Sequence, residues 1–401
     1  MSTTGRSDAD TLSAGDVASR LQGAEFVRLI AAQTGDGVAA TGLLADALDT
    51  CGVPYQTSVV GLPATATNGT DADVTVALGR PADAEGIELG TDSAPASRRA
   101  FRIAGRITDP DPALAIAGTL VTGYTPGSEL LGAAHEAGTG PRPGIAVPGV
   151  DPVDGLAHST LVHGPFSGDV GSASAALAGL NLPDQPDDDA RQRVASAVAL
   201  AVAGDEAVTE RGTVAVERFL RPLAGGPMAT VGGFGDVLAA TAREQPGLAV
   251  LLALGIEESE SALSVWREHA SRAHSAARGA STERYDGLYV AREMTADGRI
   301  PVGTVARLLC AYRSPEPVVL AVADGVAEAR AAVARSDASS EGSGDGATPD
   351  GTDPGAIPDV GAAVERAAGH VGGVGTGTAT RGRATFDVSP TEFVTTFGEV
   401  L

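Results

Sequence analysis

The pattern of apolar and polar positions over the first third of the chain predicts strands that alternate with helices. An apolar run at 26–31 predicts a strand, 33–37 a tight turn, and 38–51 carries apolar residues at helical spacing. Further elements are predicted as strands at 56–60, 73–78 and 86–89 and helices at 113–121 and 128–137. Strands that alternate with helices indicate a parallel α/β sheet.

The pattern becomes mostly helical in the middle of the chain and mixed again towards its end. Helices are predicted at 191–203, 208–223, 234–243 and 257–278. Later elements are predicted as strands at 287–291 and 317–323 around a helix at 302–311, then a helix at 360–368, a loop at 369–377, a strand at 384–388 and a final helix.

These patterns divide the chain into a predicted series of domains. We expect a flexible N-terminus over 1–15, an α/β domain over 16–200, a helical connector over 201–284 and a smaller α/β domain over 285–401. The stretch 336–354 consists mainly of Asp, Ser, Gly and Thr, so it is predicted to be a disordered insertion.

The charge of the chain is strongly one-sided. Asp and Glu number 51 against 28 basic residues, all of them Arg, and the net charge is -23. Self-repulsion of this size destabilises a compact state in dilute salt, whereas molar salt shortens the Debye length to about 3 Å. The composition is therefore typical of a halophilic protein. Because the chain has no Lys, Walker phosphate loops, Schiff-base enzymes and Ser-x-x-Lys acylases are excluded.

The cysteines and the hydropathy add two further expectations. Cys51 and Cys310 are far apart in sequence and form no C-x-x-C pair, so two reduced thiols are expected. The N-terminus is polar, and no apolar stretch approaches the roughly 20 residues that span a bilayer. We therefore expect a cytoplasmic protein with no membrane partner.

An acidic glycine turn follows the first strand, where open α/β sheets place their ligands. It resembles the His-x-Asp-x-Asp-Gly motif of the DHH phosphoesterases, with Ala32 at the His, Thr34 at the first Asp and Asp36 at the second. The resemblance makes Asp36 a residual catalytic residue and the one candidate metal ligand of this motif. The alternative is that Asp36 caps a helix.

Two more motifs of the DHH family have partial counterparts. The Asp that ends the next family strand would fall in 74–79, which contains no acid, and Asp-His-His would fall in 89–93, where only Asp92 is acidic. A two-metal phosphoesterase needs clustered carboxylates and imidazoles to hold its cations. Asp92 is therefore a second, weaker catalytic candidate, and the resemblance implies a largely dismantled metal site.

Three later segments extend the resemblance to the archaeal RecJ-like branch. Residues 158–168, beginning His158-Ser159-Thr160, and residues 232–255 resemble two of its segments. The run 372–378 resembles the Gly-Gly-His loop of the DHH-associated domain, with Thr378 at the His. Glycine loops let backbone N–H groups approach phosphates. The predicted phosphate or nucleic-acid contacts are Gly372, Gly373, Gly375, Gly377, Thr378, Arg381, Arg383, His158, Ser159 and Thr160.

The resemblance implies an α/β fold with a DHH-type parallel-sheet domain, a helical connector and a smaller α/β DHH-associated domain. It also implies a RecJ-like protein of DNA replication or repair that binds single-stranded DNA or RNA, and possible replisome partners, with weakened or lost catalysis and no cofactor. One alternative is an active single-strand exonuclease that uses Mn or Mg, held by Asp36, Asp71, Asp73 or Asp92. Another is a small-nucleotide phosphoesterase or binder.

Overall fold

A computed structural model describes most of the chain. The described residues are 12–61, 71–82, 86–90, 94–183, 186–256, 259–332 and 358–401. Asp92 and the predicted insertion at 336–354 lie outside them, as does most of the predicted flexible N-terminus at 1–15.

Helices dominate the described parts of the chain. The helices are α1 Ala14–Gln22, α2 Gly35–Cys51, α3 Ala96–Ala104, α4 Pro112–Val121, α5 Ser128–Glu136, α6 Pro152–His158, α7 Val170–Leu177, α8 Asp188–Ala203, α9 Glu210–Phe219, α10 Val231–Glu244, α11 Pro246–Ala253, α12 Ser259–Gly279, α13 Val302–Tyr312, α14 Val360–His370 and α15 Pro390–Val400. None of these helices combines the length and the hydrophobicity that a membrane span requires.

Strands form a parallel sheet, a mixed sheet and a short antiparallel pair. The strands are β1 Val27–Ala32, β2 Tyr55–Val60, β3 Val74–Leu78, β4 Ile87–Leu89, β5 Gly140–Pro141, β6 Leu223–Ala224, β7 Ser281–Tyr285, β8 Leu288–Arg292, β9 Val318–Ala323, β10 Val326–Ala331, β11 Val374–Thr378 and β12 Arg381–Thr385.

The first sheet has the order β2-β1-β3-β4, and all its described pairs are parallel. Its central strand β1 is apolar along most of its length and is buried, as expected for a strand covered on both faces. Helix α2 follows β1 directly and is buried over most of its length, packing against α3 and α4. The predicted parallel α/β architecture is confirmed.

Part of the predicted connector at 201–284 contributes to the core of this first unit. Phe234 and Leu238 of α10 and Trp266 of α12 are buried in the same apolar cluster as Leu29 of β1 and Leu43 of α2. Helix α10 also packs closely on α4. Helices α10 and α11, which come much later in the chain, therefore pack against α2 in the first unit.

A separate apolar cluster lies among the middle helices. It brings together Phe166, Val198 of α8, Phe219 of α9 and Tyr312 of α13. Because Tyr312 belongs to the C-terminal half, this cluster attaches that half to the helical middle. The hydroxyl of Tyr312 donates to the carbonyl of Leu161 at 2.8 Å, which satisfies the one polar atom of a buried ring.

The second sheet has the order β11-β12-β10-β9-β8-β7, with β8 and β9 parallel and the other described pairs antiparallel. Strand β9 is apolar on both faces, as its side chains alternate between two cores. Val319 and Ala321 face α13, while Leu320 and Val322 face α14 and α15. This smaller mixed α/β unit is where the DHH-associated domain was predicted.

The structure corrects several predicted elements of this unit. The predicted loop at 369–377 becomes a strand at Val374, and the predicted strand at 384–388 lies earlier, as β12 Arg381–Thr385. Strands β7 and β10 were not predicted. Strand β11 could not be recognised in the sequence because glycine has a low strand propensity. The small residues of β11 instead allow a helix to pack closely against this edge strand.

Candidate nucleic-acid interface

The turn between β1 and α2 places Asp36 inside the first unit. Thr34 caps α2, since its hydroxyl accepts the N–H of Gly37 at 3.1 Å. Asp36 points instead to the start of α3, where its two oxygens accept the N–H groups of Ala96 at 2.8 Å and Ser97 at 2.9 Å. Asp36 is therefore a cap, but for the helix that begins about 60 residues later rather than for its own.

The surroundings of Asp36 do not suit a pair of divalent cations. Burial raises the pKa of Asp36, while its hydrogen bonds to Ser97 and Ala96 act to lower it. Both of its oxygens already accept helix N–H groups, and the described residues contain no group of three or more His, Cys, Asp or Glu arranged to hold a metal ion. Asp73 accepts the N–H groups of Glu25 and Phe26. Mn or Mg in the family's arrangement does not fit these residues.

The segment His158-Ser159-Thr160 is buried and bonded within the protein. The hydroxyl of Ser159 and the N–H and hydroxyl of Thr160 all donate to the carboxylate of Asp236 on α10. The indole N–H of Trp266 donates to the same carboxylate at 2.9 Å. Asp236, which is 1 % exposed, is thus saturated by four donors and organises this segment.

One member of that network reaches into the space between the two units. Thr160 accepts a hydrogen bond of 2.6 Å from the guanidinium of Arg307, which is on α13 of the C-terminal unit. Of the three predicted residues, Thr160 therefore contacts the C-terminal unit, through Arg307. His158 is hydrogen-bonded to Asp154, and Ser159 is hydrogen-bonded to Asp236.

A cleft separates the first sheet from the second, and three cavities of about 130, 280 and 280 Å³ follow it. One wall is the turn Gln33–Thr34 with the start of α2. The opposite wall is the face of strands β10, β11 and β12, and Arg243 of α10 lines two of the cavities. Neighbouring cavities share lining residues, among them Thr34, Arg243 and Arg383, so they lie side by side along one cleft. We call it the arginine cleft, after its residues Arg243, Arg307, Arg330, Arg381 and Arg383.

The register of the second sheet concentrates charge on its cleft face. Arg330 of β10 lies directly opposite Arg381 of β12, and Glu328 lies opposite Arg383. Like charges in directly opposed positions of an antiparallel pair are destabilising. Glu328 is the nearby counter-charge, with its carboxylate 3.0 Å from Nε of Arg381 and 3.5 Å from Arg330. Arg330 and Arg381 thus share one buried glutamate.

The arginine charges shift the pKa values of one another and of Glu328. Burial acts to raise the pKa of Glu328, but the charges of Arg381, Arg330 and Arg243 outweigh it and lower that pKa to about 2. Burial, followed by the charge of Arg381, lowers the pKa of Arg330 to about 9 and that of Arg243 to about 10. Glu328 is therefore ionised at neutral pH, and the cleft keeps an excess of positive charge.

The predicted glycine residues have mixed positions. Gly377 and Thr378 line the cleft with Arg381 and Arg383. Gly372 has a φ of 71° and makes the turn into β11, while a Cβ on Gly373 would lie 2.3 Å from the carbonyl oxygen of Thr385. Gly375 lies against the backbone of α14. The phosphate role of this run stays a prediction, and its clearest structural role is close packing.

Sequence reasoning missed most of the cleft. Arg243, Arg307, Arg330, Glu328 and Asp236 were not among the predicted residues. One signal was available, because the stretch Val326–Ala331 reads V-A-E-A-R-A and places two opposite charges on one face of an otherwise small and apolar strand. Paired charges on a strand of that kind indicate a functional or ion-paired face. The arginines on α10 and α13 carry no such local signal.

Comparison with solved structures supports the fold. The chain resembles CDC45 from Entamoeba histolytica with a TM-score of 0.55 at 8% identity, over 94% of this chain and 95% of that one. Exonuclease RecJ bound to manganese aligns with a TM-score of 0.47 at 14% identity, over 97% and 93% of the two chains. The predicted α/β fold is thus confirmed, and it is the fold seen in CDC45.

Comparison of sequences gives the family. The family model described as the C-terminal domain of uncharacterized protein rrnAC1427 matches residues 280–399. The uncharacterized protein rrnAC1427 of Haloarcula marismortui is 48% identical over 406 aligned positions, which cover the whole of both chains. The chain therefore belongs to the family of rrnAC1427 from Haloarcula marismortui.

Proposed function

We propose that the arginine cleft binds the phosphate backbone of single-stranded DNA or RNA, and that the protein holds the strand without cleaving it through a metal pair. The observation that carries this proposal is that Arg243, Arg307, Arg330, Arg381 and Arg383 line neighbouring cavities of one cleft in a protein with a net charge of -23. An anionic strand relieves the repulsion among these guanidinium groups. A role in DNA replication or repair, with replisome partners, remains a prediction from the sequence resemblance.

The lining of the cleft favours recognition of backbone over recognition of bases. Among the described residues that line its three cavities, only Tyr124 and His269 carry aromatic rings. Proteins that grip single strands by their bases use aromatic platforms, each worth about 1–3 kcal/mol per stacked base. Binding is therefore expected to depend on charge and strand length and to show little sequence preference.

The test is fluorescence anisotropy with labelled single-stranded oligonucleotides over the widest KCl range in which circular dichroism shows a folded protein. The variant Arg381→Ala with Arg383→Ala is expected to weaken binding at least tenfold. It should also reduce the slope of log K against log salt by about 1.4, because each phosphate contact contributes about 0.7 on single strands. Arg102→Ala with Arg221→Ala changes the net charge equally at exposed positions and serves as the control.

Three outcomes separate this proposal from the alternatives. Equal affinity and slope in the cleft variant and the control would remove the cleft as the binding site. Saturation of binding by a mononucleotide or dinucleotide, with no gain on lengthening the strand, would favour a small-nucleotide binder. Trimming of end-labelled DNA with added manganese, lost in an Asp36→Ala variant that circular dichroism shows to be folded but kept in Asp46→Ala, would show a metal-dependent nuclease instead.

A further inference from the structure

Among the acids that line the arginine cleft, Glu328 differs from the others in its partners. Its carboxylate forms ion pairs with Arg381 and Arg330, which are both residues of the cleft. Glu244 pairs instead with two residues of α12, and Asp36 accepts N–H groups at the start of α3. Within the described parts of the chain, Glu328 is therefore the carboxylate that balances charge on the arginines of the cleft.

The first turn of α13 gives the Glu328 carboxylate a second place of contact. A Cβ on Gly303 would lie within 2.7 Å of both carboxylate oxygens, so the absence of a side chain there lets Glu328 lie against the helix. Helix α13 begins after Pro301, which provides no side-chain cap. The start of a helix favours a negative charge, because its first N–H groups have no partner within the helix. Glu328 can therefore stay in place when the arginines take another partner.

The two arginines offer the same chemistry to Glu328 and to a phosphate group. Nε of Arg381 donates to Oε1 of Glu328 at 3.0 Å, and Nη2 of Arg330 lies 3.5 Å from the same oxygen. Both arginines line the cavity of about 130 Å³, whereas Glu328 lines a neighbouring cavity of the cleft. A phosphate in the smaller cavity would thus meet guanidinium groups whose charge is already partly balanced from behind.

We propose that Glu328 is an internal counter-anion that limits the affinity of the arginine cleft for phosphate groups, so that a bound strand can be released. Glu328 is 2% exposed, and buried charge pairs are screened much less by salt than exposed ones, so this effect persists at high salt. The proposal rests on the function proposed above for the cleft, and it adds the residue that sets the strength of binding.

Removal of the Glu328 charge tests the proposal by fluorescence anisotropy with a labelled oligothymidylate over a KCl series. Glu328→Gln is expected to bind about tenfold more tightly than the unmodified protein, because the repulsion of the phosphates is removed. The slope of log K against log salt should rise by about 0.7, as for one further phosphate contact. Glu316→Gln is the matched control, since it removes a buried charge that pairs with Arg284 outside the cleft. A merely structural role of Glu328 predicts no gain in affinity.

A second measurement uses inorganic phosphate and needs no nucleic acid. Thermal unfolding is followed in KCl alone and with part of the KCl replaced by potassium phosphate at equal ionic strength. A ligand of the folded state raises Tm, so phosphate should raise the Tm of Glu328→Gln more than that of Glu316→Gln or of the unmodified protein. Glu328→Asp, which withdraws the carboxylate from the arginines, replaces Glu328→Gln if that variant fails to fold, and it should shift both measurements in the same direction.

The outcomes separate this proposal from the function on which it rests. Equal or weaker oligonucleotide binding by Glu328→Gln relative to Glu316→Gln, with equal gains in Tm from phosphate, would overturn the role of Glu328 and leave strand binding intact. A gain in Tm from phosphate in Glu328→Gln alone, with no oligonucleotide binding by any of the proteins, would support the role of Glu328 at an anion site and overturn strand binding.

Discussion

The carboxylate of Asp36 links α2 to the start of α3 by hydrogen bonds. In the chain these two helices are separated by β2, β3 and β4. The two oxygens of Asp36 satisfy two of the N–H groups that a helix start leaves without partners. Helix α3 has Pro95 before it and no side-chain cap of its own. A residue that resembles a remnant of catalysis therefore has a sufficient structural reason to be present.

Removal of this cap should destabilise the protein. Asp36→Ala is expected to lower the free energy of unfolding by about 1–3 kcal/mol, since two buried N–H groups lose their acceptor. The measurement is chemical denaturation at fixed KCl. Asp46→Ala, at an exposed position of the same helix, should change it by less than about 0.5 kcal/mol. Equal effects of the two substitutions would contradict the capping role.

The stacked rings of His163 and His274 predict an acid-sensitive core. Nε2 of His274 donates to the carbonyl of Ser159 at 3.0 Å, so its Nδ1 accepts from Nδ1 of His163, also at 3.0 Å. Burial, followed by the charges of Arg313 and Arg278, lowers the pKa of His163 to about 3. Burial also lowers the pKa of His274. Both rings are therefore neutral in the folded protein near neutral pH.

Stability should consequently fall as the pH drops from about 6.5 towards 3. In this window the unfolded chain binds a proton at His163 and the folded protein does not, so each such group contributes a slope of up to about 1.4 kcal/mol per pH unit. His163→Gln should flatten the slope whatever its effect on absolute stability. His135→Gln, at an exposed position, should leave it unchanged. Denaturation at a series of pH values measures both, and parallel slopes in the two variants would contradict the assignment.

At the scale of elements, α14 lies unusually close to the hairpin of β11 and β12. A Cβ on Gly361 would lie 2.4 Å from the carbonyl oxygen of Thr378, and one on Gly377 would lie 2.7 Å from Cα of Gly361. The glycines on both sides thus permit backbone contact between the helix and the sheet edge. This contact positions β11, which pairs along its length with β12, the strand that carries Arg381 and Arg383.

Two glycines of α14 should respond in opposite directions to the same substitution. Gly361→Ala is expected to lower the free energy of unfolding by about 1–3 kcal/mol, because the backbone it meets cannot move aside easily. Gly369→Ala, which has open space around its Cβ position, should raise it by about 0.5–1 kcal/mol through helix propensity. Thermal or chemical unfolding measures both. A stabilising Gly361→Ala would show that the close contact is absent in solution.

Elements were predictable from the sequence where one periodicity dominates. Strand β1 and helix α2 have clear local patterns, and the parallel sheet followed from their alternation. Strand β11 was missed because V-G-T-G-T has no apolar alternation, and its pairing depends on β12. The cleft was only partly predicted, through Arg381 and Arg383. Arg243 and Arg307 come from different helices that only tertiary packing brings together, so no local pattern could connect them.

At the scale of the whole molecule, the net charge of -23 is an excess of acids that includes clusters of exposed carboxylates. A groove on the first unit is bordered by the acids Asp46, Asp49, Asp109, Asp111 and Glu136. Repulsion among such exposed charges is screened over about 3 Å at molar salt and over about 10 Å at 0.1 M. Pairs within the partly buried cleft are screened much less. As salt is lowered, repulsion among the exposed charges should therefore increase before the interactions within the cleft change.

The protein is accordingly expected to unfold as KCl is reduced, and the midpoint should follow the net charge. Asp46→Asn, Asp109→Asn and Glu136→Gln together change the net charge from -23 to -20, so this variant should stay folded at lower KCl. Arg20→Gln, Arg102→Gln and Arg221→Gln change it from -23 to -26 and should raise the KCl required. Circular dichroism along a KCl dilution series gives the three midpoints. If both variants shift the midpoint in the same direction, local contacts of the altered side chains, and not the overall repulsion, set the salt requirement.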